Sequence, residues 1–213
     1  MREFDYCERL DASFWAEPLN AMSNLFFLVS AYCVYQYMKK KRVEPSVSFF
    51  VSLLAFILVC IGIGSFLWHS FATLWSELAD VIPITLFIYT YLFVFVLKVL
   101  EKSYFLAVMS LLLFTLFNYL FGVCFSDKLL NGSIAYFPAL LILVLLSYLI
   151  KEEKEFSLML KAIGIFMLSI VFRSVDFMVC DLIHFGTHFL WHVLNAYMLY
   201  LLVQLLILKK APR

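Results

Sequence analysis

Seven long apolar segments, separated by short polar connections, make up most of the chain. A bilayer-spanning helix needs about 20 predominantly apolar residues. The pattern therefore predicts membrane helices at 18–38, 47–69, 79–98, 103–122, 133–150, 157–179 and 185–208. We expect an all-α membrane protein with a single domain over residues 1–213, in which an acidic segment (residues 1–17) precedes a seven-transmembrane helix bundle.

Lysine and arginine are distributed unevenly between the two ends of these segments. The connections after segments 1, 3 and 5 and the C-terminal tail hold 12 of the 16 basic residues: Lys39, Lys40, Lys41, Arg42, Lys98, Lys102, Lys151, Lys154, Lys161, Lys209, Lys210 and Arg213. Basic connections generally stay in the cytoplasm. This bias predicts an N-terminus outside and a C-terminus in the cytoplasm.

The composition supports a membrane protein, and it argues against a soluble domain and against a nucleic-acid-binding protein. The chain is 65% hydrophobic and only 15% charged, whereas soluble domains carry about 25% charged residues. A net charge of +1 without a basic patch gives no indication of nucleic-acid binding. The first 17 residues lack the charged-then-apolar pattern of a cleaved signal peptide.

Histidines concentrate at the ends of two predicted helices. His184, His188 and His192 follow one another at spacings of four, so a helix would place them on one face. His69 closes segment 2, and Asp80 opens segment 3. The predicted orientation puts all of these ends on the outer side. Three neutral imidazoles and a water are the ligand set of a catalytic zinc ion.

Two further side chains complete a hydrolytic arrangement. Ser65 shares a helix face with His69, so its hydroxyl could donate to a developing oxyanion. Asp80 could act as general base and then general acid. Simpler alternatives exist: His184 alone is typical of an interfacial residue, Ser65 could serve helix packing, and Asp80 could cap a helix. Together, intramembrane ionisable groups favour a functional site.

The acidic segment before the first helix has its own candidate chemistry. Closely spaced oxygen ligands suit calcium, and a solvated acidic tail is the alternative. The candidate ligands are Asp5, Glu8, Asp11, Glu17, Asn20 and Asn24. In segment 6, Arg173 and Asp176 are expected to pair within the bundle, or Asp176 to contact the site.

The ordered set of motifs resembles the alkaline ceramidase family, which belongs to the seven-helix membrane hydrolases that include adiponectin-type receptors. The resemblance is carried by Ser65-x3-His69, Asp80 and His188-x3-His192, and by two N-terminal blocks, Asp5-Tyr6-Cys7-Glu8 and Trp15-Ala16-Glu17-Pro18-Leu19-Asn20-Ala21-Met22-Ser23-Asn24.

The resemblance implies a zinc ion bound by His69, His188 and His192, with Asp80 as acid and base and Ser65 near the oxyanion. It also implies a calcium ion bound by Asp5, the main chain of Tyr6, Glu8 and Glu17. The sequence departs from the family motif at Leu10, where an asparagine is expected, and the stretch before Glu17 is shorter. Asp11 could supply a replacement oxygen.

Family members also join a cysteine of the N-terminal motif to one between helices 6 and 7, and Cys7 and Cys180 match those places. A disulfide there would persist on the oxidising outer side. Cys124 is predicted on the same side and is a rival partner.

The resemblance therefore implies a zinc-dependent hydrolase that cleaves the amide of a ceramide-like lipid into a fatty acid and a sphingoid base. Alternatives are a lipid esterase of the same superfamily, a non-catalytic receptor and a haem membrane protein. The expected location is a bacterial inner membrane or an endoplasmic reticulum or Golgi membrane, with the site facing away from the cytoplasm.

Overall fold

The computed structural model describes residues 6–41, 43–126 and 128–210, and these residues form helices joined by turns. The α-helices are α1 (Pro18–Ser23), α2 (Leu25–Lys41), α3 (Pro45–Phe71), α4 (Leu74–Val94), α5 (Tyr104–Cys124), α6 (Phe137–Ser147), α7 (Glu153–Val175) and α8 (His188–Lys210). A π-helical turn (Phe95–Val99) extends α4, and 3₁₀ turns at Ser133–Tyr136 and Asp176–Val179 flank α6 and α7.

The seven predicted segments are all helical, which confirms the all-α class. Within the described part of the chain, five helices are long and apolar enough to cross a membrane: Pro45–Phe71, Leu74–Val99, Tyr104–Cys124, Glu153–Val179 and His188–Lys209. Segment 5 forms a shorter apolar helix, and segment 1 is divided between α1 and α2. The chain fits a multi-pass membrane protein, while its orientation stays a prediction.

Two helix boundaries differ from the prediction in ways that matter for function. The third segment begins at Leu74 because Thr73 and Ser76 form a reciprocal cap there, so Asp80 lies inside α4 and does not cap it. The last helix begins at His188. His184 therefore precedes α8, and the prediction that three histidines share one face of that helix was wrong for His184.

Helix α8 occupies the centre of the bundle, where it packs against α2, α3 and α7. Its C-terminal half is buried among apolar side chains, including Val203 and Leu205. Helix α5 packs mainly on α4 and turns most of its leucine and phenylalanine side chains outward. Such a surface suits contact with lipid chains, because these are as apolar as leucine itself.

Helices α3 and α4 approach most closely at Gly64. A Cβ atom at this position would overlap the backbone carbonyl of Ala79. Small residues allow such close helix contacts in membranes. The contact also brings the next residues along each helix, Ser65 and Asp80, to the same depth in the bundle.

We predict that Gly64→Ala lowers the melting temperature of detergent-purified protein by several degrees, because overpacking typically costs about 1–3 kcal/mol. Gly122→Ala is the matched control, since nothing lies within 4 Å of a Cβ atom there. Thermal unfolding of both variants beside the wild type checks the prediction. Equal melting temperatures for the two variants would contradict it.

Candidate metal centre

Three buried histidine side chains converge at one end of the bundle. His69 comes from the last turn of α3, and His188 and His192 come from the first two turns of α8. One ring nitrogen from each lies within 4.8 Å of the others. Nε2 of His69 and Nε2 of His192 are 3.2 Å apart. The described residues therefore include a three-histidine group that could hold a metal ion.

Hydrogen bonds on the far side of two imidazoles determine their tautomers. His69 Nδ1–H donates a hydrogen bond to the Glu17 carboxylate at 2.6 Å. Ser23 donates its only hydroxyl proton to the carbonyl of Asn20, so His192 Nδ1 must donate to Ser23 Oγ at 2.8 Å. Both Nε2 atoms then carry lone pairs directed towards each other.

Two facing lone pairs at this distance repel unless a cation lies between them. Their separation of 3.2 Å agrees with the edge of a tetrahedron around zinc, about 3.3 Å for Zn–N bonds of 2.0–2.1 Å. His188 Nδ1 is also buried and has no hydrogen-bond partner among residues 6–41, 43–126 and 128–210. The three imidazoles could therefore hold a metal ion, and three histidines with an open position are the ligand set typical of catalytic zinc.

The start of α8 is held by Asp176. Its Oδ1 accepts the backbone N–H groups of Thr187 and His188 at 2.6 and 3.0 Å, and its Oδ2 accepts that of Cys7 at 2.9 Å. Gly186 reaches this carboxylate with a φ of +65°, and a Cβ atom there would overlap Asp176 Oδ1. One carboxylate thus fixes both the helix that carries two histidines and the N-terminal segment.

Ser65 and Asp80 line a cavity of about 510 Å³ together with His188 and His192. The Ser65 hydroxyl approaches the Asp80 carboxylate. Asp80 Oδ1 is buried and lacks a hydrogen-bond partner in the described residues. The structure therefore brings both predicted catalytic residues to the cavity that the histidines face.

Tyr6 covers this end of the site. Its ring centroid lies 4.1 Å from that of His188 and 4.9 Å from that of His69. Its hydroxyl receives a hydrogen bond from Trp68 Nε1 at 3.3 Å. Burial raises the pKa of Tyr6, although the nearby Arg173 charge opposes the shift, so the phenol stays neutral.

A profile of the ceramidase family matches residues 2–212, nearly the whole chain. The chain belongs to the ceramidase family. Membership implies a ceramidase-like hydrolase that acts on a carbon–nitrogen bond of a lipid. The resemblance found in the sequence is thereby confirmed. No curated protein matched the chain.

The predicted disulfide is present in this ceramidase homologue. Cys7 and Cys180 are bonded, with their Cα atoms 5.4 Å apart, and Cys124 is a free, exposed thiol. The bond ties the N-terminal segment to the connection between α7 and α8. Tyr6, next to Cys7, is therefore held over the histidines.

The four residues predicted to bind calcium differ in the contacts that they make. Asp5 lies outside the described residues. The Glu8 carboxylate accepts the backbone N–H groups of Leu19 and Asn20 at 2.7 and 2.9 Å, at the start of α1. The Glu17 carboxylate contacts His69 Nδ1 at 2.6 Å and Asn20 Nδ2 at 2.9 Å, and calcium binding at these positions stays a prediction.

Glu17 is ionised in this environment. Burial raises the pKa of Glu17, but hydrogen bonds from His69, Asn20 and Arg9 outweigh burial and hold that pKa below its usual range. Glu17 is thus an anion next to a candidate metal ligand, His69.

The contacts of Arg9, Ser23 and Arg173 at the site were not predicted from the sequence. Ser23 lies within the Trp15–Asn24 block, but nothing in its spacing indicated a contact with His192, 169 residues away. Arg173 lines the cavity and donates a hydrogen bond to the Tyr6 hydroxyl at 3.4 Å. The Asp176 carboxylate instead accepts hydrogen bonds from backbone N–H groups. Of the two predicted alternatives for Asp176, contact with the site is the one observed.

We predict that Asp176→Ala lowers both the melting temperature and the metal content of the homologue. The substitution leaves three buried N–H groups without their acceptor, at about 1–3 kcal/mol each. Asp181→Ala is the control, because Asp181 is exposed in the neighbouring turn. Thermal unfolding and elemental analysis check both effects. A wild-type melting temperature and metal content in Asp176→Ala would show that the Asp176 cap does not stabilise the start of α8.

Proposed function

We propose that the protein is a zinc-dependent intramembrane amide hydrolase that cleaves an N-acyl sphingoid base into a fatty acid and a free base. The observation that carries this proposal is the convergence of three buried imidazoles beside Ser65 and Asp80. Family membership supports the amide bond and the lipid substrate. The arrangement of these side chains supports metal binding and the roles proposed for Ser65 and Asp80.

The cavity is suited to a substrate with one polar end. A second, apolar cavity of about 70 Å³ adjoins it and runs deeper between α3, α4, α6, α7 and α8. Both cavities share the side chains Phe27, Ile61, Ile84, Tyr136 and Trp191. An apolar substrate group in this part would leave the polar group beside the histidines, so the lining favours a lipid over a soluble substrate.

His69, His188 and His192 would hold the zinc ion, with Glu17 and Ser23 orienting two of the rings. A zinc ion in this place supplies a Lewis acid that lowers the pKa of a water molecule and polarises the substrate carbonyl. Asp80 takes a proton from the attacking water and delivers it to the nitrogen of the leaving amine as the C–N bond breaks. The unpartnered Asp80 Oδ1 is available for that transfer. Ser65 donates a hydrogen bond to the oxygen on which negative charge develops.

Arg173 adds a positive charge to the wall of the cavity. Its guanidinium lies 5.4 Å from the Tyr136 ring centroid and 5.5 Å from the Trp191 ring centroid. Its Nε is buried without a hydrogen-bond partner in the described part of the chain. Such a cation attracts the carboxylate that amide hydrolysis releases.

We also propose that the site faces away from the cytoplasm. The distribution of lysine and arginine supports this orientation. The Cys7–Cys180 disulfide lies at the same end as the histidines, and disulfides persist in oxidising compartments.

Elemental analysis of detergent-purified protein tests the function. We expect about one zinc per chain in the wild type and in Asp80→Asn, and a loss of zinc in His188→Ala, because three imidazoles form the site. Ceramide hydrolysis should fall by at least about 100-fold in both variants, since general acid–base catalysis contributes roughly 10²–10⁴-fold. A wild type without zinc would reject the metal hydrolase, and full activity in Asp80→Asn would reject the role of Asp80.

Chain-length selectivity tests the apolar cavity. Ala139 lines it and is buried, so we predict that Ala139→Phe lowers hydrolysis of long-chain ceramides more than that of short-chain ceramides. Leu141→Phe on the same helix is the control, since Leu141 is 46% exposed. Rates on acyl chains of graded length give the readout. An equal loss for all chain lengths would argue against acyl binding there.

A further inference from the structure

Arg9 is a buried cation directly behind the three-histidine group. It is only 4% exposed and lies in the segment before α1. Its Nε donates to Glu17 Oε1, one terminal nitrogen donates to the backbone carbonyl of His69 at 2.7 Å, and the other donates to that of Asp11 at 3.3 Å. One side chain therefore joins the N-terminal segment, Glu17 and the end of α3.

Glu17 depends on this cation. Its side chain is buried, with Oε1 bound to Arg9 and Oε2 contacted by Asn20 Nδ2 at 2.9 Å and by His69 Nδ1 at 2.6 Å. A buried carboxylate is costly unless it is paired and hydrogen-bonded. Arg9 compensates the charge and leaves the other oxygen to orient His69. Such contacts behind a metal ligand typically change metal affinity 10–100-fold.

The same contacts do not fit a calcium ion shared by Glu8 and Glu17. Calcium takes six to eight oxygen ligands at about 2.3–2.6 Å, whereas both oxygens of each carboxylate already receive protein hydrogen bonds. An arginine beside Glu17 would also repel a second cation. A guanidinium, with its fork of donors, suits a carboxylate and carbonyls in this geometry.

We propose that Arg9 is a built-in cation that takes the place of a divalent ion in this chain, so that Glu17 and His69 are positioned for zinc without calcium. Arg9 is a positioning residue that acts through Glu17. The inference rests on the proposed metal site and adds to it the way in which that site is held.

The first test is calcium dependence of the wild-type protein. We expect the same melting temperature and the same zinc affinity, measured by competition with a chromogenic chelator, in buffer freed of calcium by a chelating resin and then supplied with zinc, and in the same buffer with millimolar calcium chloride. A rise of several degrees with calcium, or tighter zinc binding with calcium, would overturn the proposal.

The second test uses Arg9→Met, with Lys154→Met as the control that removes one exposed positive charge at the other end of the bundle. We expect Arg9→Met to weaken zinc binding about tenfold or more and to lower the melting temperature, and Lys154→Met to change neither. Unchanged zinc affinity in Arg9→Met would contradict the proposal.

The double variant Arg9→Met with Glu17→Gln separates charge compensation from simple packing. We expect its melting temperature to lie above that of Arg9→Met alone, because the uncompensated buried anion is gone. A double variant less stable than the single one would overturn the role assigned to the charge pair. If the wild type binds no zinc at all, the proposed function fails, yet the calcium and double-variant measurements still decide what Arg9 does.

Discussion

The contact between the Glu17 carboxylate and Nδ1 of His69 is the interaction on which the site depends. It fixes the tautomer of His69 and directs the lone pair of Nε2 towards His192. It also places an anion in a buried position, which is tolerable only with a cation and several donors nearby. Arg9 and Asn20 satisfy that condition, so an N-terminal segment with little regular structure becomes part of the metal centre.

A second carboxylate, Asp176, has a similar role at the start of α8. Asp176 receives backbone N–H groups from the start of α8 and from Cys7. The disulfide between Cys7 and Cys180 links the same two segments covalently. Because the backbone N–H of His188 is itself bound by Asp176, the helix end and this candidate metal ligand are fixed together. The two carboxylates explain why the N-terminal segment cannot move independently of the histidines.

The arrangement also separates the chemistry from the substrate's apolar part. Polar side chains gather at one end of the bundle, where α3 and α4 are in close contact at Gly64. Below them, Tyr136 and Trp191 form the boundary with an apolar cavity. Binding a lipid chain in that cavity would exclude water from it while keeping the reactive group next to Asp80, which strengthens electrostatic interactions there.

Local patterns in the sequence were sufficient for the helices, the family and the three histidines that the fold brings together. Apolar length predicts a membrane helix because the bilayer sets that length, and the four-residue spacing of His188 and His192 places them on one face. The pairing of Cys7 with Cys180 followed from the family resemblance, not from the spacing itself.

What local patterns could not supply was which polar side chains meet across the bundle. Ser23 reaches His192, and Arg9 reaches the carbonyl of His69, over 169 and 60 residues of sequence. Those contacts arise because each buried donor and acceptor must find a partner, and only the packed helices determine which partner is within reach. Glu17 was predicted to bind calcium because it belongs to an acidic cluster with Asp5, Glu8 and Asp11 and matches a ligand position of the resembled family. In the folded chain its neighbours in space are an imidazole, an amide and a guanidinium, and they determine its role.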